Sequence, residues 1–257
     1  MSVEKVVETD VLVIGGGIAG CFAAIKAREQ GLDVTIVDKA YPGYSGSTPA
    51  ALLGYMVFNP EWGLNLNACI DAVTKKGEYV NNREWTEIVF RDSWETYRDL
   101  VSWGVDFPIE SEEDTPFVKS YHPFGIVRIG GTSTGPPARQ QAEKSGVNIF
   151  NRVMISDLLK QDGRVVGAIG FPMESYDLYI FKAKATVIST GFSSLTTGEG
   201  DAIAYRAGAE LTTKEFAYTW PGSGSAIGGR REVAARNVFL NFIDAEGNKI
   251  DTSDKYN

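Results

Sequence analysis

Thr9-Asp-Val-Leu-Val-Ile-Gly-Gly-Gly-Ile-Ala-Gly20 is the stretch that decides the fold. Val11 to Ile14 is an uninterrupted apolar run, as expected of a parallel strand buried on both faces. Gly15, Gly17 and Gly20 then spell G-x-G-x-x-G where strand should turn into helix. Gly15 suits the tight turn, Gly17 lets a pyrophosphate approach the backbone, and Gly20 lets helix and strand pack closely. The helix beginning near Ile18 and Ala19 offers unpaired N–H groups and a positive dipole end to an anion. A second buried run, Val34 to Val37, ends at Asp38, eighteen residues after Gly20, where a carboxylate is expected to accept hydrogen bonds from a ribose. Strand, glycines, helix, strand and acid in that order read as a dinucleotide site. The motif alone does not separate FAD from NAD.

The rest of the composition narrows the class. The chain has 257 residues, 43% hydrophobic and 23% charged, enough for one large domain or one plus part of another. Its net charge of −8 argues against a nucleic-acid surface, which needs a basic stripe. Two cysteines, Cys21 and Cys69, cannot hold an iron–sulfur or zinc site alone. Cys21 reads as a small core residue of the first helix, with a redox thiol as the alternative. With no disulfide framework, no apolar leader at Met1 to Lys5 and no run of membrane-spanning length, a cytoplasmic protein without direct membrane insertion is expected.

Helix is expected over Ile18 to Gln30, closed by Gly31. The loop from Ala40 to Gly54 is rich in small residues and hydroxyls. It reads as a surface turn or, following Asp38 and Lys39 directly, as backbone laid against a planar cofactor with Ser45, Ser47 and Thr48 near its phosphates or ring. Residues 65 to 104 read as helical, with Trp85, Ile88, Val89, Trp94, Tyr97, Leu100 and Val101 forming a core stripe. Residues 110–114 are an acidic loop, and His122, the single histidine, is a general base or an ordinary turn residue. Gly130 to Pro137 is expected to be loop before a short helix, Ala138 to Lys144. Val147 to Phe150 and Val153 to Leu159 read as strands, Asp162-Gly163 as a hairpin turn, and Arg164 to Phe171 with Tyr176 to Phe181 as the rest of an antiparallel meander. Lys184 to Gly191 returns to a buried strand broken at Thr190-Gly191.

The chain resembles the flavoprotein subunits of the fumarate reductase/succinate dehydrogenase family, which includes L-aspartate oxidase and the adenylylsulfate reductase α subunit. Four segments carry the resemblance: Gly15 to Gly20 with Asp38-Lys39, Ser45 to Gly54, the Gly163 to Gly191 meander, and Thr197-Gly-Glu-Gly-Asp-Ala-Ile-Ala-Tyr-Arg-Ala-Gly-Ala-Glu-Leu-Thr-Thr-Lys-Glu-Phe216. The resemblance implies a Rossmann-like α/β FAD-binding domain, a parallel sheet plus an inserted antiparallel β-meander, over residues 1–221. Residues 222–257 are then the beginning of a capping domain, truncated at Asn257. It also implies Gly15, Gly17 and Gly20 at the pyrophosphate, Asp38 at the ribose, and Ser45 to Gly54 along the flavin. Val153 would meet the adenine by backbone contact, Thr190 and Gly191 would lie close to the cofactor, and Glu199 stands where the family usually has aspartate.

Departures from the family refine the expectation. Gly46 replaces the histidine that carries a covalent flavin bond in quinone-linked members, so FAD is expected to be non-covalent. Trp220 stands in place of the histidine of a His-Pro-Thr motif. That leaves fumarate or succinate, another organic acid, an enoyl substrate and a sulfur oxyanion ester all open. Arg230, Arg231 and Arg236 are anion ligands or exposed cations, and no catalytic residue carries over. The expected function is flavin-mediated two-electron or hydride transfer to or from a small organic acid or related acceptor. Electrons would come from an iron–sulfur or other electron-transfer subunit, or from a diffusible donor. The alternatives are an NAD(P)-dependent dehydrogenase and a non-catalytic FAD-binding electron-transfer subunit.

Overall fold

The computed structural model describes residues 4–49, 52–107, 117–119, 125–191 and 197–215. The acidic loop, His122, Trp220 and the three arginines from 230 onward lie outside them. The chain divides into two units, Met1–Ala217 and Tyr218–Asn257, and the second also lies outside the described residues. The first unit runs β1 (Glu4–Ile14), α1 (Ile18–Glu29), β2 (Val34–Val37), β3 (Leu52–Val57), α2 (Leu66–Lys76), α3 (Arg83–Ser102), β4 (Phe117–Lys119), β5 (Gly125–Gly130), α4 (Gly131–Lys144), β6 (Asn148–Phe150), β7 (Val153–Gln161), β8 (Arg164–Pro172), β9 (Leu178–Ile188) and α5 (Glu199–Ala207).

Six strands form one mixed sheet in the order β6-β2-β1-β9-β8-β7, with β1 near its centre. The pairs β6–β2, β2–β1 and β1–β9 are parallel, while β9–β8 and β8–β7 are antiparallel. Side chains alternate faces along a strand, and both faces are covered. Val11, Val13, Val34 and Ile36 pack with Ala24 and Ile25 of α1 and Ala138 and Ala142 of α4. Leu12, Ile14 and Val37 face the other way, onto Val153, Ile155, Ala168, Phe181 and Ile203. The unbroken apolar run at Val11 to Ile14 follows from this two-sided burial. Each fully buried aliphatic chain contributes about 1.5–3 kcal/mol.

The expected parallel sheet and meander are both present, but they share a strand. Tyr176 to Phe181 and the run from Lys184 are not two strands: β9 is continuous from Leu178 to Ile188. Its first half pairs with β8 through Tyr179 to Lys182, and its whole length pairs with β1 from Glu4↔Leu178 to Ile14↔Ile188. The polar Lys182-Ala-Lys184 stretch suggests a break in sequence. In the fold those lysines meet acids on the neighbouring strand, Lys182 with Glu8 at 3.1 Å and Lys184 with Asp10 at 2.6 Å.

Two helical expectations also need correction. The segment from Gly131 is helix and not loop, so α4 begins seven residues before Ala138 and carries Pro136 and Pro137 inside it. Each proline removes an intrahelical N–H donor. Packing holds the turn nonetheless, with Gly135 so close to Gly43 that an added Cβ would lie 1.9 Å from the Gly43 carbonyl oxygen. In α3 the stripe divides. Phe90, Tyr97 and Leu100 are buried, whereas Trp85, Ile88, Val89 and Val101 are exposed by 65, 55, 52 and 47%. At about 100° per residue, Trp85 and Ile88 fall well away from the Phe90–Tyr97 face. That face packs beside β3, where Val57 joins Tyr97, Leu100 and Phe107. β3 belongs to a second, three-stranded sheet of order β3-β5-β4.

Candidate functional site

A cleft of about 450 Å³ opens at the carboxyl end of β1, between the ends of β2 and β9. Ligands of open α/β sheets bind at that edge. The glycine-rich turn forms its floor. Gly15 has φ +99°, and a Cβ there would lie 2.6 Å from the Ser189 carbonyl oxygen. A Cβ on Gly20 would lie 1.9 Å from the Gly15 carbonyl oxygen, so Gly20 sits beneath the turn and does not line the cleft. Gly17 differs: an added Cβ would meet only Thr48 Oγ1, at 3.3 Å, and the residue faces the cleft.

The start of α1 is a donor site with no cap from its own N-cap residue. An α-helix leaves its first N–H groups without intrahelical acceptors. In α2 and α3 the side chains of Asn65 and Asn82 accept from Ala68 N–H and Trp85 N–H, each at 3.0 Å. In α1 the N-cap is Gly17, which makes no side-chain cap, and the first turn carries no acid. Thr48 Oγ1 takes the Ile18 N–H at 3.2 Å. Ile18 and Ala19 both line the cleft, so its electropositive end points at whatever the cleft holds.

The bank after β2 comprises Asp38, Lys39, Ala40 and the loop residues Ser45, Gly46, Ser47 and Thr48. Asp38 has structural work that its spacing does not show. Its Oδ2 accepts the Gly16 N–H and its Oδ1 the Ala40 N–H, both at 2.7 Å, which ties the glycine turn to the end of β2. A carboxylate can accept about four hydrogen bonds, so capacity for a ribose remains. Ser45 Oγ turns back onto its own loop, donating to the Tyr41 carbonyl at 2.7 Å. Gly46 has φ +78° and open space where a Cβ would be. Ser47 Oγ is buried without a hydrogen-bond partner, an arrangement that normally costs about 1–3 kcal/mol. An orphan hydroxyl in the same cleft as the start of α1 fits a polar, phosphate-bearing ligand. Gly54 lies in β3, paired with Arg128, and does not line the cleft.

The opposite bank is Val153, Thr190, Gly191, Glu199 and their neighbours. Val153 donates its N–H to the Asp38 carbonyl at 2.9 Å, so that N–H is committed within the fold. Ser189 Oγ donates to the Gly15 carbonyl at 2.7 Å. Glu199 Oε1 receives Lys39 Nζ at 2.8 Å, and Thr197 Oγ1 bonds to both Lys39 and Glu199. Burial pushes the Glu199 carboxyl up, but hydrogen bonds from Lys39, Thr197 and its own backbone N–H outweigh it and hold the group below the ordinary carboxylate range.

The structure therefore brings Gly15, Gly17, Ile18, Ala19, Asp38, Lys39, Ser45 to Thr48, Val153, Thr190, Gly191 and Glu199 to one cleft, with Gly20 under it and Gly54 away from it. Sequence reasoning missed Ser189, Thr197 and Gly200 in the cleft and, outside its lining, Gly16, whose Cβ would lie 2.4 Å from Pro42 Cβ. Only the triple glycine and the Ser-Thr-Gly run hinted at them. Cys21 is buried, and burial with Asp38 nearby pushes its thiol up to about 12, which marks a core residue and not a redox thiol. A hollow of about 630 Å³ lies along the middle of β1 and β9, but its Glu8, Asp10, Lys182 and Lys184 already pair with one another.

Residues 10–240 match the family described as FAD binding domain. A protein of Methanothermobacter marburgensis, one of the subunits of its fumarate reductase (CoM/CoB), is 29% identical over 235 residues, 82% of this chain and 42% of that protein. An L-aspartate oxidase of Streptomyces coelicolor is 27% identical over 267 residues, 94% of this chain and 46% of that protein. The Sdh1 complex of Mycobacterium smegmatis in its apo form shares the fold, with a TM-score of 0.72 at 24% identity over 79% of this chain and 39% of that chain. The chain thus spans less than half the length of these relatives.

Proposed function

The chain belongs to the FAD binding domain family, and from that premise we propose that it is the FAD-holding part of a flavin-dependent oxidoreductase acting on a small organic acid or related acceptor. The observation that carries the reading is the glycine-lined start of α1, with no side-chain cap from Gly17, facing a cleft that also holds the orphan Ser47 hydroxyl. FAD supplies two-electron redox chemistry when bound. The protein's own part is to hold it: the N–H groups at Gly17 and Ala19 take the diphosphate, and Ser47 Oγ and Thr48, whose Oγ1 already accepts the Ile18 N–H, bind beside it. Asp38 keeps the glycine turn in place while accepting from the ribose. Val153 reaches the adenine through its carbonyl, since its N–H is committed to Asp38. Thr190 and Gly191 close the far side.

Gly46 offers no nucleophile, so FAD is held non-covalently. Residues 1–221 form the FAD-binding domain, and 222–257 begin a capping domain. The acceptor class rests on likeness to a fumarate reductase and an L-aspartate oxidase, and a separate iron–sulfur or other electron-transfer subunit rests on relatives described as subunits. The FAD family match sets the nicotinamide alternative aside. The purified protein tests the reading. A flavin absorption spectrum whose chromophore leaves with acid or heat as intact FAD supports it, and a protein that takes up NADH but not FAD overturns it.

A further inference from the structure

Helix α3 carries an apolar row that the described core does not use. Trp85, Ile88 and Val89 are exposed, while Phe90, Tyr97 and Leu100 face inward. At about 100° per residue, Trp85, Ile88, Val89 and Asp92 fall within an arc of about 100° on the outer side. None of the described α3 residues lines the cofactor cleft. The turn that enters the helix extends the row. Glu78 and Tyr79 hold φ +50° and +66° there, a region that non-glycine residues rarely occupy, and Tyr79 and Val80 are exposed. A strained turn with an outward tyrosine, followed by an uncovered Trp, Ile and Val, has the composition of a contact surface.

The order of residues along the row says what fits it. Trp85 and Asp92 lie symmetrically about the Ile88–Val89 midpoint. A second α3 laid antiparallel across that midpoint sets Ile88 and Val89 against their own copies and Trp85 against Asp92. An indole N–H needs an acceptor once buried, and the exposed Asp92 carboxylate supplies it. The charges on the flank follow the same order. Glu84 and Glu87 precede the midpoint, and Arg91 and Arg98 follow it. In the antiparallel arrangement Glu84 meets Arg91, which Glu87 already holds within its own helix at 2.6 Å. Arg98 comes to the Glu78–Tyr79 turn, where a carboxylate and an aromatic face both suit a guanidinium. A parallel copy would set like charge against like. We propose that α3 is a docking face for a second copy of this chain, the two helices packing antiparallel about Ile88 and Val89 in an isologous contact. The proposal is independent of the cofactor reading. One helix face is small beside the about 1,600 Å² of a standard interface, so the association is weak and depends on concentration.

Sedimentation velocity over a range of protein concentrations, from about 1 μM to about 1 mM, tests it. Wild type should pass reversibly from monomer to dimer. Ile88→Asp places two carboxylates beside the two-fold axis and should weaken the dimer about tenfold or more. Tyr176→Asp, at an equally exposed site on the β8–β9 turn, should leave the dimer unchanged. Oxidation of a mixture of Trp85→Cys and Asp92→Cys proteins tests the register: the mixture should form a disulfide-linked dimer faster than either variant alone, and the native Cys21 and Cys69 are buried. A wild type that stays monomeric throughout overturns the proposal, and one that then floats with phosphatidylcholine vesicles unless Ile88 is replaced assigns the face to lipid instead. A dimer that Ile88→Asp leaves intact, or that Tyr176→Asp weakens equally, overturns it too. Melting curves report whether Ile88→Asp folds, and if it does not, cross-linking of either cysteine variant alone as fast as the mixture is sufficient to overturn the proposal.

Discussion

At the scale of single residues, three glycines of one motif are held for different reasons, and substitution separates them. Gly20→Ala forces a Cβ against the Gly15 carbonyl oxygen at 1.9 Å, and overpacking against backbone should cost about 1–3 kcal/mol of stability with or without FAD. Gly17→Ala meets only Thr48 Oγ1. Its apoprotein should melt within about 0.5–1 kcal/mol of wild type, while FAD affinity falls about tenfold or more, about 1.4 kcal/mol. Thermal melts and FAD titrations of the two variants check this, and equal effects on both readouts would contradict it. Asp38→Asn should cost about 1–3 kcal/mol without FAD, because an amide cannot accept from both the Gly16 and Ala40 N–H groups as the carboxylate does. Cys21, its thiol held neutral far above neutral pH, and Cys69, raised by burial, should resist a thiol reagent in the native protein and react in denaturant. The glycine pattern was legible because the demands on Gly15, Gly17 and Gly20 follow from local strand–turn–helix geometry. Gly16 and Ser189 were not, because their partners, Pro42 and the Gly15 carbonyl, come from distant parts of the chain.

At the scale of elements, helix starts divide by what fills them. Asn82 caps α3, so Asn82→Ala should lower stability by about 0.5–2 kcal/mol and leave FAD affinity unchanged. The start of α1, where Gly17 supplies no side chain, should respond to its ligand. The cores of β1, α1 and β2 were readable from the apolar runs and the glycines between them. Three neighbouring elements were not, for identifiable reasons. β9 carries Lys182 and Lys184, which look like a break until Glu8 and Asp10 are placed beside them. α4 contains Pro136 and Pro137, which signal a helix boundary that the Gly43–Gly135 contact overrides. The α3 stripe is periodic along its length, but periodicity does not say which of two apolar rows a neighbour covers. Here the Tyr97 row is covered and the Trp85 row is not.

At the scale of the molecule, the mixed sheet explains why the site lies where it does. β1 is buried on both faces and flanked by parallel strands, and at its carboxyl end the turns after β1, β2 and β9 and the start of α1 line one cleft. The charge balance fits as well. In a chain of net charge −8, the α1 start remains free of acids in its first turn, so an anion meets oriented backbone dipoles there. The pH response follows from Glu199. Its carboxyl is held below the ordinary range, so the stabilisation from the Lys39 pair is present above the unfolded-state value and is lost as pH falls through the lower folded-state value. The melting temperature should therefore be steady across neutral pH and fall only in acid, and E199Q should remove part of that acid limb.

A structure of the protein saturated with FAD is the most direct test. The diphosphate oxygens are expected within hydrogen-bonding distance, about 2.7–3.2 Å, of the N–H groups at Gly17 and Ala19, with Ser47 Oγ no longer unpartnered. FAD bound elsewhere, or a cleft still empty at saturation, would contradict the assignment.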